Sequence, residues 1–180
     1  MESIKELLKE GYPLKEEKPI PPYKIYCDMD GVLTDFESRF EHFTGMHPQE
    51  YEKSKGRAAF WHLIDTEIGV RFWVGMGWMP QGKKLWNFIS PYKPDLLTSP
   101  SRENQSRLGK NLWVKNNLNP KPKVIFAYSA DKQRYANESS ILIDDKKSNI
   151  NEWTSKGGIA IRCKDGNVDH VIKKLKELGY

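Results

Sequence analysis

At 180 residues the chain is long enough for one domain with a sizeable core and a small insertion. Its 38% hydrophobic and 12% aromatic content excludes a disordered chain, and no apolar run approaches the roughly 20 residues that span a bilayer. The net charge of +5 and the pI near 9.0 suit an anionic substrate. The lysines are scattered, as at Lys173, Lys174 and Lys176, which reads as solvated helix faces and not as a nucleic-acid surface.

The opening Met1–Glu6 lacks the apolar core of a signal peptide. Cys27 and Cys163 both fall in apparent strands, so free buried thiols in a reducing cytosol are expected, with a cytoplasmic location. Cys27 adjoins Asp28, but no histidine is placed by sequence to activate a catalytic thiol. The four histidines, His42, His47, His62 and His170, show no zinc-ligand spacing.

In chain order, residues 1–22 read as a leader. Ile4, Leu7 and Leu8 give a short apolar helical face, and Pro19, Pro21 and Pro22 hold the chain extended. The apolar run from Lys24 to Cys27 predicts a buried strand that ends in Asp28 and Asp30. Phe36, Phe40 and Phe43 recur at i, i+4 and i+7, which predicts a helix over Phe36–Thr44. Residues 45–82 show no clear strand, many aromatics and glycine interruptions, and read as an inserted, mostly helical cap. Strand and helix then alternate: helix Lys83–Ile89, strand Asp95–Thr98, helix Glu103–Asn117 and strand Lys123–Tyr128. Strand Ser140–Ile143, helix Ser148–Lys156, strand Gly158–Arg162 and helix Val168–Leu178 follow. Five strands with helices between them predict an α/β core, residues 23–44 and 83–180, with a parallel sheet covered on both faces.

Four strand ends carry polar chemistry. Asp28 and Asp30 stand one residue apart at the first, where like charges repel unless a cation is shared; Mg²⁺ is the usual partner of such oxygen ligands. Thr98 and Ser99 end the second strand and can hydrogen-bond a phosphoryl oxygen or simply cap the next helix. Lys132 follows the third, as a mobile point charge. Asp144 and Asp145 end the fourth, and adjacent carboxylates on a buried strand tip call for a cation.

The string Asp28-Met-Asp-Gly-Val-Leu-Thr-Asp35, then Thr98, Lys132 and Asp144-Asp145 in that order, resembles the four motifs of the haloacid dehalogenase (HAD) superfamily. The resemblance implies a Rossmann-like core with strand order 3-2-1-4-5, which sets the two acidic tips side by side. It implies Asp28 as nucleophile forming an aspartyl-phosphate, Asp30 as general acid and base, and Thr98 and Lys132 as phosphoryl holders. Mg²⁺ would be held by Asp28, the backbone carbonyl of Asp30, and Asp144 or Asp145. A dehalogenase would not need the second acid, so Asp30 favours phosphate chemistry.

A closer resemblance is to the 5′(3′)-deoxyribonucleotidases, carried by Asp28–Phe36, Phe60-Trp61, Thr98-Ser99-Pro100, Lys110 before Trp113-Val114, Asp131-Lys132 and Leu142–Asp145. It implies that Phe36, Phe60, Trp61 and Trp73 face a nucleobase and that Ser99 and Lys110 adjoin the phosphate. The alternative for the aromatics is a small hydrophobic core. Ala130 departs from the family's basic residue, and the stretch Gly69–Gly82, which contains Trp73 and Trp78, does not align. The implied function is a Mg²⁺-dependent phosphomonoesterase acting on nucleoside monophosphates. The alternatives are a HAD phosphatase for another small ester or a nucleic-acid phosphate end, and a receiver-like or catalytically dead nucleotide-binding module. In receivers the paired acids come early and the phospho-accepting acid later, the reverse of the order here.

Overall fold

A computed structural model describes residues 23–180; the predicted leader, 1–22, lies outside the described residues. The described residues open with strand β1 (Lys24–Cys27), a two-residue strand β2 (Thr34–Asp35) and helix α1 (Phe36–Thr44). Helices α2 (Pro48–Lys55) and α3 (Arg57–His62) follow, then a π-helical segment Leu63–Ile68 and helix α4 (Val70–Val74). After strand β3 (Gly77–Trp78) come α5 (Gly82–Ile89), β4 (Asp95–Thr98), α6 (Asn104–Asn117) and β5 (Val124–Phe126). A 3-10 segment Ser129–Tyr135, β6 (Ser140–Asp144), α7 (Lys147–Ser155), β7 (Ile159–Arg162) and α8 (Val168–Glu177) complete it.

Five strands form one parallel sheet in the order β5-β4-β1-β6-β7. Counted among themselves, these strands run 3-2-1-4-5, as the resemblance implies. Each strand alternates its side chains between two cores, as a pleated strand covered on both faces must. Ile25 and Cys27 of β1, Leu96 of β4, and Ile141 and Ile143 of β6 face one core with Leu85, Trp86, Val171 and Leu175. Tyr26, Leu97 and Leu142 face the other, with Trp153 of α7 at 0% exposure. The β1–β6 register pairs Cys27 with Ile143, so Asp28 and Asp144 leave the sheet together, and Asp28 N–H donates to Ile143 O at 2.9 Å.

Between 45 and 82 the expectation of no strand is corrected. Gly77–Trp78 pairs antiparallel with Thr34–Asp35, and Met79 N–H donates to Leu33 O at 2.8 Å. The pairing carries Met79 and Pro80 to the mouth of the cavity above the acidic tips. Below it, Phe36, Phe40, Phe60, Phe72 and Trp73 form a continuous aromatic cluster, with Phe40 and Phe60 stacked at 4.7 Å. Arg39 ties α1 to α4 by donating to Phe72 O and Arg71 O.

Cys27 and Cys163 are free and buried. Burial, then the charge of Asp28, pushes the Cys27 thiol well above its ordinary range, and burial takes Cys163 up to about 11. Neither is a ready thiolate. No helix among the described residues is long and apolar enough to cross a membrane.

Candidate active site

The backbone after β1 turns tightly enough to leave its carboxylates on one surface. Val32, Leu33 and Thr34 all donate their N–H groups to Met29 O, and Met29 N–H donates to Asp28 Oδ1 at 2.8 Å. Gly31 sits at φ 76, and a Cβ there would stand 2.7 Å from Asp145 Oδ2, so only glycine lets the two acidic tips close on each other.

At the sheet's switch point Asp28, Asp144 and Asp145 come together, with a carboxylate oxygen of each within 4.8 Å of the others. Lys132 enters from the 3-10 segment and bridges Asp28 Oδ2 at 2.8 Å and Asp144 Oδ2 at 2.7 Å. Asp144 is fully buried, and it also accepts from Asn149 Nδ2 at 2.9 Å and Lys146 N–H at 2.9 Å. Burial, then the charge of Asp28, pushes Asp144 up to about 6 and Asp145 up to about 7. Burial would lower Lys132, but Asp28 and Asp144 outweigh it and raise it above its ordinary value, so it stays charged. Three carboxylates against one ammonium leave negative charge uncompensated. All-oxygen donors around such a deficit fit a hard divalent cation such as Mg²⁺, with Asp28, Asp144 and Asp145 as its ligands.

Asp30 stands apart from this cluster. Its Oδ1 accepts from Thr34 Oγ1 at 3.0 Å and its Oδ2 from Lys110 Nζ at 2.6 Å. Its carboxylate is no member of the acidic triad, leaving only its backbone carbonyl for the expected metal role. Two carboxylates two residues apart thus occupy different settings, one against a cation-seeking cluster and one against a lysine.

A cavity of about 620 Å³ opens over these groups, lined by Asp28, Asp30, Ser99, Lys132 and Asp145, with Phe36 and Trp61 on its walls. Three sequence-based assignments need correction. Lys110 does not line this cavity; it is fully buried, and its ammonium donates to Asp30 Oδ2, Thr98 Oγ1 at 2.8 Å and Ser99 O at 2.8 Å. An ammonium has three donors, so no hydrogen is left for a phosphate. Phe60, 5% exposed, and Trp73, 1% exposed, belong to the aromatic core and present no face to a base. Inserted helices must bury an apolar stripe against something, and these two rings supply it. Thr98 is buried beneath the cavity; it accepts from Lys110 and keeps its own proton to donate.

Other residues join the site without having been singled out. Asn149 orients Asp144 and accepts from Ser129 Oγ at 2.9 Å. Lys146 Nζ donates to Ser129 Oγ at 3.2 Å. Asp35 caps α1, accepting from Ser38 N–H at 2.9 Å, and lines the cavity. For Asn149 the available signal is its place four residues beyond Asp145 on the helix that leaves the acidic tip.

No family model matches the chain, and no curated protein matches it. Solved structures do. A predicted phosphatase from Clostridium acetobutylicum superposes with TM-score 0.57 at 11% identity, over 86% of this chain and 98% of that one. A hydrolase from Streptococcus pneumoniae TIGR4 gives 0.51 at 16% identity, over 84% and 99%. A phosphonoacetaldehyde hydrolase-like protein from Oleispira antarctica gives 0.50 at 12%, over 88% and 86%. At such identities the likeness is one of fold, and the fold is Rossmann-like, with the strand order of the HAD core.

Proposed function

We propose that this chain is a divalent-cation-dependent phosphomonoesterase of the HAD type, acting on nucleoside monophosphates. The observation that carries the reading is the division of labour between Asp28 and Asp30. Asp28 sits within the triad Asp28–Asp144–Asp145 beside Lys132; Asp30, two residues on, lies against Lys110 and Thr34. One carboxylate is set to attack and the other to handle a proton.

Asp28 Oδ attacks phosphorus, and as the bond to the leaving oxygen breaks Asp30 hands that oxygen a proton. The aspartyl-phosphate on Asp28 is then opened by water, whose proton returns to Asp30, releasing inorganic phosphate. Lys132 holds the phosphoryl oxygens through its positive charge, with Ser99 beside it on the cavity wall and Thr98 buried behind the same strand tip. Bound Mg²⁺ at the acidic triad supplies the charge that lets a carboxylate approach a phosphate dianion. Phe36 and Trp61 on the cavity wall support a nucleoside leaving group, since an aromatic face binds any base. The free buried thiols suit a reducing compartment such as the cytoplasm.

The test is phosphate release by the full chain from ribo- and deoxyribonucleoside monophosphates, sugar phosphates, p-nitrophenyl phosphate and phosphorylated DNA ends. Turnover that needs Mg²⁺, stops in EDTA and is lost in Asp28→Asn is the expected result. Asp28→Asn with wild-type turnover overturns the mechanism, and turnover of sugar phosphates alone overturns the substrate class.

A further inference from the structure

A second cavity, of about 670 Å³, adjoins the first across Trp61, which lines both. The junction is close. Ser99 lines the first cavity and Pro100 the second, and neighbouring residues lie about 3.8 Å apart along the chain. The charges around the two differ in balance. Asp35, Glu37, Glu41 and Asp165 line the first beside its catalytic carboxylates and two lysines, whereas the second sets Arg57 and Arg102 against Asp65 and Glu103. From Asp28 a phosphate ester meets carboxylates along α1 and a charge-balanced cavity past Trp61.

What waits there is a buried carboxylate with an open oxygen. Asp65 lies on the π-helical segment, an irregularity that recurs at functional sites. It is 4% exposed and lines the cavity. Its Oδ1 accepts from Ser101 Oγ at 2.7 Å, and Ser101 is itself held, its N–H donating to Ser106 Oγ at 3.0 Å. Asp65 Oδ2 has no hydrogen-bond partner among the described residues. The Trp73 indole N–H approaches the carboxylate without completing a bond. Asp65 Oδ2 is not sealed off, so its free acceptor positions open to the cavity that Asp65 lines, and a ligand donor there takes the place of water.

The donor pattern can be specified. A carboxylate has about four acceptor positions over two oxygens, and Ser101 takes one. The complementary edge is a ring N–H beside an exocyclic amine, the arrangement on guanine. Uracil and thymine place their ring N–H between two carbonyl oxygens, which would face the carboxylate and be repelled. We propose that the cavity beyond Trp61 takes the base of the nucleotide substrate and that Asp65, positioned by Ser101, selects guanine. The assignment rests on the phosphatase reading above and adds to it the identity of the base.

The experiment compares kcat/KM for GMP and dGMP with that for UMP and dTMP, in wild type, Asp65→Asn and Ser101→Ala, with p-nitrophenyl phosphate run on the wild type. Wild type is expected to favour guanine by about tenfold or more. Asp65→Asn, whose amide adds donors to the site, is expected to lose or reverse that ratio. Ser101→Ala, which frees the carboxylate to turn, is expected to reduce it, and it carries the test if Asp65→Asn fails to fold. Equal kcat/KM across bases in the wild type, or a ratio unmoved by both variants, overturns the assignment while leaving the phosphatase reading intact. No turnover of p-nitrophenyl phosphate or any nucleotide overturns the phosphatase reading, and the base assignment with it.

Discussion

Lys110 Nζ meets Asp30 Oδ2 at 2.6 Å from a position with no solvent exposure, while the same ammonium holds Thr98 Oγ1 and Ser99 O. One buried charge therefore fixes the Asp30 carboxylate and the Thr98 hydroxyl at the second strand tip relative to each other. Lys110→Met keeps the chain length but leaves Thr98, Ser99 O and Asp30 without their donor. Breaking a buried pair by removing one partner costs about 3–5 kcal/mol, and Asp30's access to water puts this case near the lower figure. We expect loss of about 3 kcal/mol in urea denaturation, with kcat lowered about 100-fold or more because Asp30 is no longer held in place. Unchanged kcat in the folded variant would leave Lys110 a packing residue only.

The acidic triad makes the metal-free protein sensitive to pH in a particular direction. Asp144 and Asp145 titrate at about 6 and about 7, above the ordinary carboxylate value of 3.8, first through burial and then through Asp28. The folded chain thus binds these protons more tightly than the unfolded chain, and its stability falls as pH rises from about 4 to about 7. Mg²⁺ competes with those protons for the same oxygens and relieves the repulsion once they have left. The rise in Tm on adding MgCl₂, relative to EDTA, is expected to be larger at pH 8 than at pH 5. Differential scanning fluorimetry at the two pH values checks this, and equal shifts at both would argue against a cation in the triad.

The core was legible because its signals are local. A short apolar run with a polar tip is a strand ending at the sheet's switch point, and each of Asp28, Thr98 and Asp144 sits at such a tip. Lys110 and Asp65 could not be read the same way. Lys110 is one of many lysines, and its role comes from Asp30 lying 80 residues away in sequence. Asp65 looks like any acid in a polar helix until Ser101, 36 residues on, closes over it. Phe60-Trp61 shows the opposite failure. Two adjacent aromatics on a helix point in different directions, 100° apart around its axis, and the pair motif does not say which one faces the cavity.

Gly109 lets α4 approach α6 closely enough to lay Trp73 over Lys110, whose Nζ lies 5.1 Å from the ring centroid. A Cβ on Gly109 would fall 2.4 Å from Trp73 Cβ and 3.1 Å from Val70 O, both too near to be accommodated without movement. Alanine recovers up to about 1 kcal/mol of helix propensity, but overpacking costs about 1–3 kcal/mol. We expect Gly109→Ala to lose stability in urea denaturation and to lower kcat as Trp73 is pushed off the ammonium. A more stable Gly109→Ala would mean that the two helices slide apart at little cost.

Phe60 and Trp61 offer the sharpest contrast between packing and binding, because they are neighbours with different surroundings. Phe60 stacks on Phe40 at 4.7 Å and is nearly enclosed, whereas Trp61 is half-buried and lines both cavities. Phe60→Ala empties a packed site and is expected to cost about 3–5 kcal/mol of stability. Trp61→Ala removes a face on which a base can stack, an interaction worth about 1–3 kcal/mol, so KM for nucleoside monophosphates should rise about 5- to 150-fold. Steady-state kinetics with GMP and with p-nitrophenyl phosphate, beside urea melts of both variants, separates the two roles. The KM increase in Trp61→Ala should be larger for GMP than for the aryl ester. Equal increases on both esters would place Trp61 in packing as well, and with it the wall that joins the two cavities.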